Sequence, residues 1–156
     1  MAAKMTRLAE FLPYLLSVTS NAVSCRIADE YEAKFSLKIS EWRVMAVLGD
    51  AGALTQRELG GFTLMDKVAV NRACKVLEQR GLATRSPNLQ DGRSHHLELT
   101  DSGRDMHGRI MPLALEMEQL LFAPLSAAER TAFKQLLGRI MAQVKATEID
   151  SMKTAP

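Results

Sequence analysis

Apolar residues recur every three to four positions along most of this chain, the spacing of helices that bury one face. The first run covers about residues 11–35, with Leu12, Leu15, Leu16, Val23, Ile27 and Tyr31 in register. Pro13 falls in its first turn, where a missing N–H costs nothing. At ~1.5 Å per residue such a helix spans roughly 35 Å, long for so short a chain. A second helix is predicted over residues 41–49, capped by Ser40 and filled on its inner side by Trp42, Val44, Met45, Val47 and Leu48. The chain breaks at Asp50, Ala51 and Gly52. Thr55 and Glu58 then stand at capping-box spacing and open a short helix that closes near Gly60 and Gly61. Asp66 caps the next helix, residues 67–80, whose inner face is Val70, Ala73, Cys74 and Leu77. Gly81 marks its end.

Beyond Gly81 the period changes. Residues 82–86 are short and extended, residues 87–92 are rich in turn formers, and residues 96–100 alternate as a half-buried strand does. This is a β-hairpin with its tip near residues 90–93. Thr100 or Asp101 caps a helix over about residues 102–121, with Met106, Ile110, Leu113, Met117 and Leu120 inward. Pro112 is expected to kink it or shift its boundary. The last helix follows Ser126 and runs to about residue 144, with Phe133, Leu136, Leu137, Ile140, Met141 and Val144 as its stripe. The polar tail beyond it is expected to fray. No internal repeat is visible.

The order of elements is that of a mainly α fold: a winged helix-turn-helix lobe with further helices contributed by both termini. The expected organisation is an N-terminal helical region (1–38), the winged lobe (39–100), C-terminal helices (101–148) and a tail (149–156). At 156 residues, 47% hydrophobic and 24% charged, the chain has a globular composition, and disorder over its length is excluded. Charge interrupts every apolar stretch before the ~18 residues a bilayer requires, so no membrane partner is expected. Residues 1–10 lack the apolar core of a signal peptide. Two cysteines fit reduced thiols and a cytoplasmic location. The net charge is only +2, but residues 66–95 hold six Lys or Arg against three Asp or Glu. Basic character is thus concentrated in the motif.

In a winged helix-turn-helix the second motif helix enters the major groove, and the hairpin tip reaches the backbone or the minor groove. The sequence offers double-stranded DNA the matching groups. Arg72 and Asn71 have the donor geometry for guanine and adenine edges. Lys67 and Lys75 suit phosphates, Arg93 stands at the hairpin tip with Arg85 on the opposite strand, and His95 is placed for a backbone contact. Val68 and Ala69 can meet thymine methyls but offer phosphate no side-chain donor.

These residues resemble the MarR family of regulators. The run Leu54 to Leu59 is similar to the start of the family's motif, and Val70 to Leu82 to its recognition helix. Ser40 to Val44 is similar to the family's second helix. The most specific match is Asp91-Gly92-Arg93 followed by Leu97, Leu99, Thr100 and Gly103, which resembles the family's wing. The resemblance covers about residues 11–144. It implies a ligand-responsive repressor that binds a palindromic operator as a homodimer joined by its terminal helices. It further implies that Arg93 enters the minor groove, braced by an ion pair with Asp91. A small phenolic or other aromatic effector would sit in a crevice whose candidate walls are Tyr14, Trp42, Arg43, Met45 and Phe62.

Other chemistry is weakly supported. Cys25 lies well inside the first helix and is expected to be packed and inert, while Cys74 belongs to the buried stripe. His95 and His96 point to opposite faces of one strand and cannot chelate a metal together, so neither metal nor cofactor is expected. No nucleophile–base set or phosphate loop points to an enzyme. Two alternatives remain: a winged-helix protein–protein module, and a sequence-tolerant architectural DNA binder.

Overall fold

The computed structural model describes the backbone of residues 7–153 and the side chains of residues 7–148. A short 3-10 turn, Leu8–Glu10, precedes α1 (Leu12–Phe35), α2 (Ile39–Ala51), β1 (Leu54–Thr55), α3 (Gln56–Thr63), α4 (Lys67–Gln79), β2 (Ala83–Pro87), β3 (His95–Leu99), α5 (Asp101–Leu121) and α6 (Ala127–Lys153). The strands form an antiparallel sheet in the order β1-β3-β2. Leu54 pairs with Leu97 on one side of β3, and Arg85 pairs with the same residue on the other. β1 has only two residues, too few for an alternating pattern to reveal. Pro87 lies in an edge strand, where a missing N–H does no harm.

The chain forms two compact units that part between Leu115 and Glu116. The core of the first holds Tyr31, Leu37, Val44, Met45, Leu48, Leu59, Val70, Ala73, Cys74, Leu77, Leu97, Leu99 and Ile110. Residues from α1, α2, α3, α4, the sheet and α5 thus share one apolar interior. In the second unit a reciprocal cap starts α6: the Ser126 amide donates to the Glu129 carboxylate at 2.7 Å, and the Glu129 amide to Ser126 Oγ at 3.2 Å. The Phe122 and Phe133 rings lie 6.2 Å apart beside that turn.

Several boundaries differ from the sequence expectation, each for a local reason. Ser40 does not cap α2. The helix begins two residues earlier, with Lys38 as N-cap, because the Glu41 carboxylate accepts the Lys38 amide at 2.9 Å. α3 runs through Gly60 and Gly61 to Thr63, and its end is marked by Leu64 in the left-handed region at φ 52°. Pro112 does not shift the boundary of α5, which continues through it to Leu121. α6 extends past residue 144 to Lys153, since no glycine or proline stands there to stop it. Cys25 is exposed rather than packed, while Cys74 is buried. Arg26 turns to Glu30, at 2.9 Å, one turn along the helix.

The joint between α4, the sheet and α5 is the tightest part of the fold. Gly81 takes φ 68°, and the Leu82 amide returns to the Leu77 carbonyl at 2.9 Å, closing α4. Thr100 then donates its hydroxyl to the Gly81 carbonyl at 2.6 Å and its amide to the Leu82 carbonyl at 3.1 Å. The same hydroxyl accepts the Gly103 amide at 3.1 Å, capping α5. Gly103 is required because a Cβ there would stand 1.9 Å from the Leu82 carbonyl oxygen. Gly103→Ala is therefore expected to lower the unfolding free energy by about 2–3 kcal/mol, read from the midpoint of urea denaturation.

A second expectation concerns the turn into α3. The Thr55 amide and hydroxyl both donate to the Glu58 carboxylate at 2.8 Å, and the Glu58 amide donates to Thr55 Oγ1 at 3.3 Å. These bonds hold the Glu58 carboxyl below its ordinary 4.5. The stability they supply is full above pH 4.5 and is lost as the pH falls through the lower folded value. Thr55→Ala is expected to cost about 1 kcal/mol at neutral pH. Glu58→Gln should flatten the acid limb of a stability–pH curve measured by urea denaturation.

Candidate nucleic-acid interface

α4 is amphipathic. Val70, Ala73, Cys74 and Leu77 are buried, and the opposite side carries exposed Lys67, Val68, Arg72 and Lys75 with half-buried Asn71 between them. Burying Val70 and Leu77 stabilises the seating by about 1.5–3 kcal/mol each, which fixes the rotation of the helix and so the direction its polar face looks. Asp66 starts the helix by accepting the Ala69 amide at 2.8 Å. Ala69 itself is only half exposed. Desolvation beneath the helix pushes the Cys74 thiol up to about 11, so it is an inert packing group.

The exposed side of α4 carries an open hollow between its side chains. Lys67, Val68, Asn71, Arg72 and Lys75 line a hollow of about 470 Å³. A second groove of about the same volume runs from α4 to the hairpin and is lined by Gln56, Arg57, Lys67, Asp91, Arg93 and His95, among others. The structure thus gathers Lys67, Val68, Asn71, Arg72 and Lys75 on one surface, and brings Asp91, Arg93 and His95 alongside Lys67 on the adjoining one.

The hairpin loop is pinned by its own polar groups. The Asn88 amide donates to the Ser94 carbonyl at 3.1 Å, and Asn88 Nδ2 to Ser94 Oγ at 2.9 Å. Asp91 Oδ1 accepts the Arg93 backbone amide at 3.1 Å. This corrects the expected brace: among the described residues no ion pair joins Asp91 to the Arg93 guanidinium. A short carboxylate reaches the amide two residues on more readily than the end of a long side chain. The brace fixes the backbone and leaves the guanidinium unpartnered.

The same division holds across the basic window. Its three acids are each engaged by the protein itself: Asp66 caps α4, Asp91 holds the loop, and Glu78 pairs with Arg85 at 2.6 Å. Glu78 also raises the Arg85 pKa above its ordinary value. Two of the six cations are tied to the protein, Arg85 in that pair and Arg80 through the Ser36 and Phe35 carbonyls at 2.8 and 2.9 Å. Among the described residues the side chains of Lys67, Arg72, Lys75 and Arg93 have no such partner. The cations left for a ligand are therefore these four.

Sequence reading missed Gln56 and Arg57. Both stand in the first turn of α3, and only their place beside a capping box in a helix-turn-helix could have drawn notice. The five candidate ligand-crevice residues are dispersed in character. Met45 is sealed in the core, and Phe62 is 63% exposed. Trp42 packs its ring 5.0 Å from Tyr31 and 5.8 Å from His107. Arg43 reaches Ser24 at 3.4 Å, and Tyr14 lies on exposed α1. Among the described residues no group of three or more His, Cys, Asp or Glu could hold a metal ion, and no helix is long and apolar enough to cross a membrane.

Comparison with known proteins identifies the family. Residues 35–94 match the profile of the MarR family. The chain is similar to the HTH-type transcriptional regulator PecS of Dickeya dadantii, with 28% identity over 82% of this chain and 81% of that protein. It is also similar to the uncharacterized HTH-type transcriptional regulator YdgJ of Bacillus subtilis, with 30% identity over 73% of this chain and 70% of that protein. Among solved structures, BpsR of Bordetella bronchiseptica, whose DNA binding is regulated by 6-hydroxynicotinic acid, superposes with a TM-score of 0.75 at 25% identity. That match covers 83% of this chain and 98% of BpsR.

If the free cations serve a ligand rather than the fold, removing them should leave the fold alone. Replacing Lys67, Arg72, Lys75 or Arg93 by Ala is expected to change unfolding free energy by less than about 0.5 kcal/mol. Arg80→Ala, which removes two carbonyl contacts, should cost about 1–2 kcal/mol in the same urea titration.

Proposed function

Because this chain belongs to the MarR family of transcriptional regulators, and is not an enzyme, we propose that it binds a palindromic operator in double-stranded DNA as a homodimer. It represses transcription in the cytoplasm until a small aromatic effector releases it. The observation that carries this reading is the surface of Lys67, Arg72, Lys75 and Arg93, cationic and without partners among the described residues, on a helix seated in the core and on the adjoining hairpin. α4 is the recognition helix. Arg72 and Asn71 address base edges, Lys67 and Lys75 address phosphates, and Val68, at 67% exposure, offers a methyl-sized apolar contact. Arg93 is the minor-groove finger, and His95 adds a backbone contact.

Dimerisation is supported by the apolar residues that one chain leaves uncovered. Leu12, Leu15, Leu16 and Val18 on α1 are exposed, as are Phe133, Leu136, Ile140, Met141 and Val144 on α6. Each helix thus leaves apolar side chains of its own uncovered, and uncovered apolar surface of this kind marks a site of association. A two-fold pair would set two recognition helices about 34–36 Å apart, one turn of DNA. The regions 1–38 and 101–148 are then the dimerisation elements around the 39–100 lobe. An effector acts by favouring a different spacing of the two lobes, a population shift with no new chemistry. BpsR supports an aromatic acid as the effector class. Tyr14, Trp42, Arg43 and Phe62 are the side chains we assign to its crevice, with Met45 behind them.

Titrating labelled duplexes at several salt concentrations tests this. Lys67→Ala and Lys75→Ala should each lower the slope of log Kd against log salt by about 1. Arg72→Ala should cost about 1–3 kcal/mol on the selected site and relax preference at one base pair. Affinities for selected and random duplexes within about tenfold would instead mark an architectural binder. An affinity indifferent to salt would mark a protein–protein module.

A further inference from the structure

We propose that Gln56 is a specificity-determining residue of this DNA-binding face, orienting Asn71 with one end of its amide and gripping a backbone phosphate with the other. The inference rests on the reading of the face given above and goes beyond it. Gln56 is the first residue of α3, directly after the Thr55 cap. Its Oε1 accepts a hydrogen bond from Asn71 Nδ2 at 3.4 Å, linking α3 to the recognition helix across fifteen residues of sequence. Its Nε2 is buried and has no hydrogen-bond partner among the described residues.

The two ends of one amide have different consequences. An asparagine that reads adenine must present one N–H and its Oδ1 together, to N7 and to the N6 amino group. Asn71 has two N–H groups. Engaging one with Gln56 fixes the plane of the amide and leaves the second N–H and Oδ1 as a pair. The entropy of orienting Asn71 is thus lost on folding rather than on binding DNA.

A buried donor without an acceptor is unfavourable, and the structure supplies none. Gln56 lines the groove between α4 and the wing together with Arg57, Lys67, Arg93 and His95. The nearby carboxylates are engaged elsewhere, Glu58 with Thr55 and Asp91 with the Arg93 amide. An incoming acceptor must therefore be an anionic oxygen compatible with a groove of cations. A phosphate oxygen has that chemistry, and a duplex lying against α4 and the wing would bring one to this groove; because Nε2 is covered in the free protein, meeting it requires the groove's side chains to draw aside as the backbone docks. The donor is then satisfied only in the complex, so its unfavourable burial in the free protein adds to affinity for DNA.

Gln56→Leu removes both functions and Gln56→Glu removes one, because a glutamate keeps an acceptor for Asn71 and turns an oxygen toward the phosphate. The experiment first selects sites from a duplex library with the full-length protein. It then measures Kd by fluorescence anisotropy on the best site and on the same site changed at the A·T pair that Asn71→Ala ceases to discriminate. Gln56→Leu is expected to weaken the best site about tenfold and to lose discrimination at that pair. Its salt slope should be unchanged, since no charge is removed. Combined with Asn71→Ala it should discriminate no worse than either single variant. Gln56→Glu is expected to keep the discrimination and weaken all duplexes at least tenfold. It also carries the test should the leucine variant not fold.

A selected site that both variants bind and discriminate within twofold of wild type overturns the role of Gln56 alone. If the wild type selects no site, the reading of the whole face falls and this inference with it. Millimolar inorganic phosphate that raises the melting temperature of wild type but not of Gln56→Leu, with DNA affinity unchanged between the two, assigns the donor to a free anion and overturns the proposal.

Discussion

Everything on the exposed basic side of α4 depends on seating its inner stripe. Val70, Ala73, Cys74 and Leu77 enter the same interior as Val44, Leu48, Leu59 and Leu97. A helix with four buried positions on one side cannot roll without exposing them, and each large side chain opposes the roll by about 1.5–3 kcal/mol. The polar side is therefore presented at a fixed angle. Both ends are also held, Asp66 at the first turn and Gly81 with Leu82 at the last. Because Thr100 donates to the carbonyls of Gly81 and Leu82 and its hydroxyl accepts the Gly103 amide, the end of α4, the sheet that carries the hairpin and the start of α5 share one joint.

The electrostatics follow from the same local structure. A carboxylate at a helix start or in a tight turn is held by backbone amides, which are short and fixed. Asp66, Glu58 and Asp91 are all used in this way. Lysine and arginine have no comparable role at those places, so their charges remain at the surface. A window of modest net charge thereby becomes a face with free cations. Arg80 and Arg85 are the exceptions, one bound to the end of α1 and the other to Glu78. In sequence they cannot be told from Arg72 or Arg93.

The terminal helices show the opposite relation between pattern and packing. Apolar residues recur at helical spacing in them too, yet most of α1 and all described residues of α6 except Arg130 are exposed in the single chain. Tyr31 alone in α1 is buried. Periodicity records that a face is to be covered and does not record by what.

The sequence by itself determined the kind and order of the elements, the capping box at Thr55 and Glu58, the Asp66 cap, and which residues of α4 turn inward. Those properties depend on contacts within three or four residues and on a helical repeat that any chain of this pattern obeys. Thr100 and Gly103 were legible too, through their resemblance to a known wing. The tertiary structure alone decided the rest. It made β1 a strand by laying two residues against β3, moved the α2 cap from Ser40 to Lys38 through Glu41, and turned Asp91 to a backbone amide. It brought Gln56 against Asn71 and left Nε2 without an acceptor, and it separated bound from free arginines. Each of these is a contact set by where the chain returns in space or by which of several nearby donors a side chain reaches first, and neither is encoded in local periodicity.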